Sequence, residues 1–228
     1  MGREYVQPVE ALGLLSPPPS VILHDTIISI TPWVLSGTGA DPAIARDTTY
    51  YPNTRIDSAL AASLKLTSRT TDAAARDFVF ATRRAPPIPG ARIRFQSMFM
   101  MKVETNDVLG PLWYLKIARA GTLYTAAIRH YLVPDSWDYL SAADTWIAFD
   151  PQPRFPTDSV WFPFAMAVDL SKSEYLYVSP AGRHIAMAGI SLLTDSSAFD
   201  FIEIKVGGQT EQVGPDPIYF ADIGVGLA

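Results

Sequence analysis

Residues 161–191 constrain the chain most. Three short apolar runs, Trp161 to Leu170, Tyr175 to Val178 and Arg183 to Ile190, are separated by two breaks of turn composition, Ser171-Lys-Ser-Glu174 and Ser179-Pro-Ala-Gly182. Apolar runs this short, punctuated this regularly, read as antiparallel strands joined by tight connections, a β-meander. In Tyr175 to Val178, strict alternation puts the two tyrosines on one face and Leu176 and Val178 on the other, so a one-residue slip would exchange core and solvent. The second break places Pro180 where a type I turn wants a fixed φ, and Gly182 where the chain leaves the turn with φ above zero.

The chain has 228 residues, 48% hydrophobic and 11% aromatic, enough for one sandwich with a substantial core. One domain over residues 21–228 is expected, preceded by an arm, residues 1–20, that ends in the stiff spacer Ser16-Pro-Pro-Pro-Ser20. A net charge of −5 argues against a nucleic-acid partner, which would call for a basic field. Zero cysteines exclude disulfides and thiolate metal sites. No apolar run approaches the roughly 20 residues of a membrane span, and the basic-then-apolar order of a secretory signal is missing from the N-terminus. The sequence therefore reads as soluble, with no membrane partner and with localisation left open.

Taken in order, Val21 to Trp33 is β-branched and apolar and reads as the first strand, interrupted by His24-Asp25; Ser36 to Pro42 and Tyr50 to Asn53 read as loops. Ser58 to Leu66 has helix-favouring alanines and leucines but alternates as a strand would. Thr71 to Asp77 reads as a capped helical turn, and Pro86 to Gly90 as a rigid break. Arg92 to Glu104 sets Ile93, Phe95, Phe99 and Met101 on one face and a mixed set on the other, as on a partly covered sheet. Trp113 to Ala118 and Leu123 to Leu132 flank a hairpin with Gly121 at its tip; Pro134 to Thr157 is the least regular region. Phe199 to Val206 alternates again, Gly207-Gly208 reads as a turn, and Tyr219 to Val225 as a terminal strand.

Several of these pieces together resemble the concanavalin A-like lectin/glucanase superfamily: the early strand running to Trp33, Ser63-Leu-Lys-Leu66, Trp161 through Val168-Asp169-Leu170, the hairpin carrying Tyr175, Tyr177 and Gly182, and the last strand Tyr219-Phe-Ala-Asp222-Ile223. The resemblance covers residues 21–225 and implies an all-β, antiparallel two-sheet jelly-roll sandwich. Glucanases of that fold carry a Glu-x-Asp-x-x-Glu run on one strand, which this sequence lacks, so their catalytic residues do not carry over.

Other chemistry has less support. His24, His130 and His184 are scattered, without a partner at metal-ligand spacing, and no Gly-x-Ser-x-Gly elbow occurs. One cluster stands out: Trp137, Tyr139 and Trp146 lie among Asp135, Asp138, Asp144 and Arg154 in the irregular region. Flat rings that stack on the apolar face of a sugar, beside carboxylates and an arginine that bond its hydroxyls, are what a glycan site needs. Against this, Trp and Tyr are also core residues, and Trp146-Ile-Ala-Phe149 reads equally well as a strand. The resemblance adds a calcium pair, Asp25 and Asp222, between the first and last strands, although calcium needs six to eight oxygens. Asp169 is expected to cap its turn by bonding Ser171. The resulting expectation is a carbohydrate- or polymer-binding module without evident catalysis or an obligate cofactor. Its rivals are a glycan hydrolase or lyase of the same fold, and an assembly protein that forms homo-oligomers through its arm.

Overall fold

The computed structural model describes residues 21–25, 27, 30–38, 40–49, 62–69, 77–101, 108–132, 135–143, 145–151, 160–210 and 217–228. In chain order the strands are β1 (Val21–Asp25), β2 (Val34–Gly37), β3 (Ala40–Asp47), β4 (Ser63–Arg69), β5 (Asp77–Ala85), β6 (Arg92–Met101), β7 (Val108–Arg119) and β8 (Thr122–Leu132). Then follow β9 (Asp135–Ala142), β10 (Thr145–Pro151), β11 (Phe162–Asp169), β12 (Glu174–Pro180), β13 (Ile185–Ala186), β14 (Leu193–Ser196), β15 (Phe201–Thr210) and β16 (Ile218–Leu227). Among the described residues there is no helix, and so none long and apolar enough to cross a membrane. The arm, the Tyr50–Asn53 loop and residues 71–76 of the expected helical turn lie outside the described residues.

Two eight-stranded antiparallel sheets pack face to face. Sheet I runs β13-β12-β11-β6-β16-β4-β3, with β1 also on β16; sheet II runs β10-β9-β8-β7-β15-β5-β2, with β14 also on β8. The two sheets share one design feature, a long strand whose edge is divided between two short ones. On β16, β4 pairs with 218–220 and β1 with 223–226, and the changeover falls at a bulge where Asp222 takes φ 48°. Asp is one of the few side chains that tolerate this conformation. On β8, β14 pairs with 122–125 and β9 with 128–132. The backbone left over at Ala127 is completed by the Tyr175 hydroxyl, which accepts from the Ala127 amide at 2.8 Å and donates to its carbonyl at 3.2 Å. Burial pushes the Tyr175 hydroxyl pKa up, which keeps it a donor.

The core lies between the sheets. Trp113 stacks on Phe164 with centroids 3.9 Å apart and on Trp137 at 5.8 Å, and its indole donates to Ser97 at 2.9 Å. That bond satisfies the one polar atom a buried tryptophan brings. Ile93, Phe95 and Phe99 point into this core as expected, and residues 63–66 of the ambiguous Ser58–Leu66 segment are strand, in β4, with Leu64 and Leu66 buried, while residues 58–61 lie outside the described residues.

The meander is present as β11-β12-β13, with two corrections. A bulge on β12 leaves Ala167 opposite Tyr177 and Val168 opposite Tyr175, so Leu176 is the extra residue. The faces are reset across it: Tyr175 and Val178 are both buried, while Leu176 is half-buried outside the core. The turn is also displaced by one residue. Ala181 and Gly182 take φ 48° and 83°, and the Arg183 amide bonds the Pro180 carbonyl at 2.9 Å, the pattern of a type I′ hairpin with Pro180 ending the strand. Ala120 and Gly121, with φ 49° and 83°, repeat it at the β7–β8 tip. Ser36 to Pro42 does not form a loop, since β2 and β3 use most of it to step from one sheet to the other; the Thr38 hydroxyl accepts from the Phe78 amide at the step. Gly207-Gly208 does not turn either: both residues lie inside β15, where a Cβ at 207 would meet Phe80 and one at 208 would meet Ile218. Asp169 closes its turn as expected, accepting from the Ser171 amide at 3.0 Å and from the Ser171 hydroxyl. These bonds, with Arg92 at 3.0 Å, hold the Asp169 carboxyl below its usual pKa against the opposing effect of burial.

Candidate functional site

The described part of the irregular region forms the paired strands β9 and β10, and strand alternation divides the expected site between two faces. Trp137 pairs with His130 and points inward; it is 0% exposed and stacks on Trp113 and Phe164. Tyr139 also turns inward, packing on Phe149 and Tyr175. Neither belongs to an exposed platform: the alternation that carries Asp138 out carries its neighbours in. Asp138 and Trp146 do face outward. Asp135 lies in β9 opposite Leu132 with its side chain outside the described residues, as are Asp144 and Arg154 altogether.

Trp146, half-buried, and Asp138, buried at 5% exposure, belong to the outer face of sheet II, where β5, β15 and β7 to β10 present a continuous polar and aromatic strip. The order of side chains follows from register: Phe80 faces Gly207, Thr82 faces Lys205, Lys205 faces Tyr114, Glu203 faces Lys116, and Arg129 faces Asp138. Phe78 stacks on Phe80 at 5.8 Å; Phe80 meets Tyr114 edge-on at 5.7 Å, and Tyr114 meets Trp146 edge-on at 6.3 Å. All four rings are half-buried, so each keeps a face or an edge in solvent. Phe80 lies close over Gly207, where a Cβ would stand 2.3 Å from its Cδ1, so the glycine is what lets the ring come down.

Cations are threaded through the rings. The Lys205 ammonium sits 4.7 Å from the Phe80 centroid and 5.7 Å from that of Tyr114, and the Arg129 guanidinium 4.6 Å from that of Trp146. Arg129 Nε also donates to Asp138 Oδ2 at 2.8 Å, while Ser136 donates to Oδ1 at 2.8 Å, which fixes both carboxylate oxygens. Arg84 Nε holds Glu203 Oε2 at 3.0 Å. Burial, then the nearby Lys116 charge, lower the Lys205 pKa, with Glu203 opposing. A flat wall of rings with fixed donors and acceptors at its edge can cover an apolar ligand face and bond its rim.

The strip was missed from sequence except for Trp146 and Asp138. Its local signal was there: Phe78-Val-Phe80, Trp113-Tyr-Leu-Lys116 and Glu203-Ile-Lys205 each alternate apolar inward with ring or charge outward. The lateral order that brings them together was not.

The calcium pair is only half placed. Asp25 lies opposite Ile223, so the first and last strands do neighbour each other, but its side chain is outside the described residues. Asp222 occupies the β16 bulge, and no group of three or more metal-ligand side chains occurs among the described residues.

No protein-family model and no curated protein sequence matches the chain. Among solved structures it is similar to the cellulose induced protein Cip1, with a TM-score of 0.51 at 9% identity over 90% of this chain and 97% of that one. It is also similar to lectin UEA-II in complex with galactose (TM-score 0.48, 8% identity, 86% and 92% covered). A third is the enzymatically active domain of tailspike protein 4 of bacteriophage CBA120 (TM-score 0.44, 12% identity, 89% covered), of which the chain spans 20%. At such identities the likeness speaks for fold alone. The fold is an all-β, antiparallel two-sheet jelly-roll sandwich.

Proposed function

We propose that this chain is a carbohydrate-binding module whose site is the outer face of sheet II. The observation that carries the reading is the strip itself: Phe80, Tyr114 and Trp146 half-exposed in succession, interleaved with Lys205, Arg129 and Asp138. Rings cover the apolar faces of sugars, and the charged groups take their hydroxyls. Asp138 supports binding over hydrolysis, because both of its oxygens are engaged, one by Arg129 and one by Ser136. A general acid or base needs an oxygen turned to the substrate.

Titration with soluble oligosaccharides, read by tryptophan fluorescence, tests this. Of the five tryptophans, Trp33, Trp113 and Trp137 are buried, and of the two half-buried ones Trp146 lies on the strip while Trp161 precedes β11 of sheet I, so a signal lost in Trp146→Ala reports the strip. Trp146→Ala should weaken binding by about tenfold or more with a small change in unfolding midpoint, since it removes contact area and not core packing. If no oligosaccharide, neutral or acidic, perturbs the wild-type signal, the proposal fails.

A further inference from the structure

Charge is unevenly distributed over this molecule. The chain carries −5 overall, yet on the strip Glu203 is surrounded by Arg84 on β5, Lys116 directly across on β7 and Lys205 two residues along β15. Arg84 takes the Glu203 carboxylate at 3.0 Å, and among the described residues neither lysine ammonium has a carboxylate within ion-pairing distance. Among those residues two cations are thus left over on the face where the rings lie, Lys205 against Tyr114 and Phe80 and Lys116 two residues along β7 from Tyr114.

We propose that Lys205 and Lys116 form an anion subsite in this strip, so that the glycan it takes is an acidic one whose carboxylate or sulfate ester seats between the two ammoniums while its sugar ring covers Tyr114. This rests on the glycan-binding reading and goes beyond it by naming the ligand class. The position is a poor one for Lys205 on stability grounds. Its ammonium is half-buried against two rings and close to a like charge, and both burial and Lys116 disfavour its charged form. A ligand anion would relieve both effects at once, neutralising the pair and supplying the acceptor that the aromatic walls do not. Thr82 and Thr125, paired across from Lys205 and Lys116, add hydroxyls at either side for the oxygens of the same residue.

The experiment titrates the full chain with three oligosaccharides of equal length, a neutral gluco-oligosaccharide, an oligogalacturonate and a sulfated galacto-oligosaccharide, by calorimetry and Trp146 fluorescence at low and high salt. The expected result is that at least one acidic ligand binds about tenfold tighter than the neutral one at low salt, and that the margin shrinks with added salt. Which acidic ligand prevails tells carboxylate from sulfate ester. Lys116→Gln should reduce that margin and leave neutral affinity unchanged, and Lys205→Gln should reduce the margin by more than it reduces neutral affinity and unfold no earlier than wild type. Neutral and acidic ligands bound equally, or a margin untouched by both lysine variants, would overturn the anion subsite and leave the glycan reading standing. No response to any of the three would remove both.

Discussion

The two sheets are alike in strand number, pairing and inner face, and opposite in character on their outer faces. On sheet I, register lines up Gly224, Gln96, Ala165 and Ser179 in one row and Gly226, Arg94, Ala167 and Tyr177 in the next, with Met98 and Met100 beyond. Small residues dominate, and Gln96, Met98, Met100, Tyr219, Ala165 and Ala167 are all buried. On sheet II the corresponding positions carry rings and charges, all left part-open: Phe80, Tyr114, Lys116, Lys205, Arg129 and Trp146. Alternation in a strand says only which side chains leave the core. What those side chains then contribute depends on whether they are covered: on sheet I they should contribute stability, on sheet II recognition.

The sharpest contrast is between two truncations at comparable depth in their sheets. Met100 is fully buried on the outer face of sheet I, and Met100→Ala should lower the unfolding free energy by about 2–5 kcal/mol. Tyr114→Ala removes a larger side chain from the strip, yet should cost less than Met100→Ala in urea denaturation, because the ring is half-exposed, while it removes the ligand response. If Tyr114→Ala proves the more destabilising, the rings of sheet II are structural and the division between the faces collapses.

Gly207 tests how far the strip depends on close packing beneath it. A Cβ there would stand 2.2 Å from the Val79 carbonyl oxygen and 2.3 Å from Phe80 Cδ1, so Gly207→Ala has to push backbone apart and lift the ring. Overpacking of this kind costs about 1–3 kcal/mol, and the displaced Phe80 should also shift the near-ultraviolet signal of the Phe80–Tyr114 pair. An unchanged midpoint would mean that the ring is not seated on the glycine.

The sandwich was legible because short apolar runs between turn residues are a local signal: Phe164, Met166, Val168, Ile202 and Ile204 all lie in the core where alternation puts them. What failed locally failed at bulges and close approaches, which depend on the partner strand. Leu176 is the extra residue of a bulge, and Gly207-Gly208 has turn composition but serves a neighbour's ring. The site was half legible for a related reason. Composition marked the 134–157 segment as unusual, but Trp137 and Asp138 are adjacent residues of one strand with opposite destinations, and only register decides which of them leaves the core between the sheets. Phe80, Tyr114 and Lys205 come from three strands distant in sequence and meet only through the order β5-β15-β7. That order is set by long-range pairing, for which no single stretch carries a sign.

The smallest effect is also the finest test of what sheet I's outer face is. Among the described residues, Gln96 Oε1 is buried without a hydrogen-bond partner, and so is Ser179 Oγ in the same row, with Ala165 on the strand between them. A buried amide oxygen left unpaired costs about 1–3 kcal/mol, and replacing it by an apolar group of the same length removes that cost. Gln96→Met should therefore be neutral or stabilise the fold by up to about 1 kcal/mol, since methionine keeps the length and adapts its shape to the same space. The measurement is the denaturation midpoint of the variant against wild type at constant slope. A clear loss would mean that Oε1 is bonded after all, by ordered water held between Gln96 and Ser179. The outer face of sheet I would then be hydrated and polar at its centre, close in kind to the strip on sheet II, and the contrast between the two faces would have to be redrawn as one of degree.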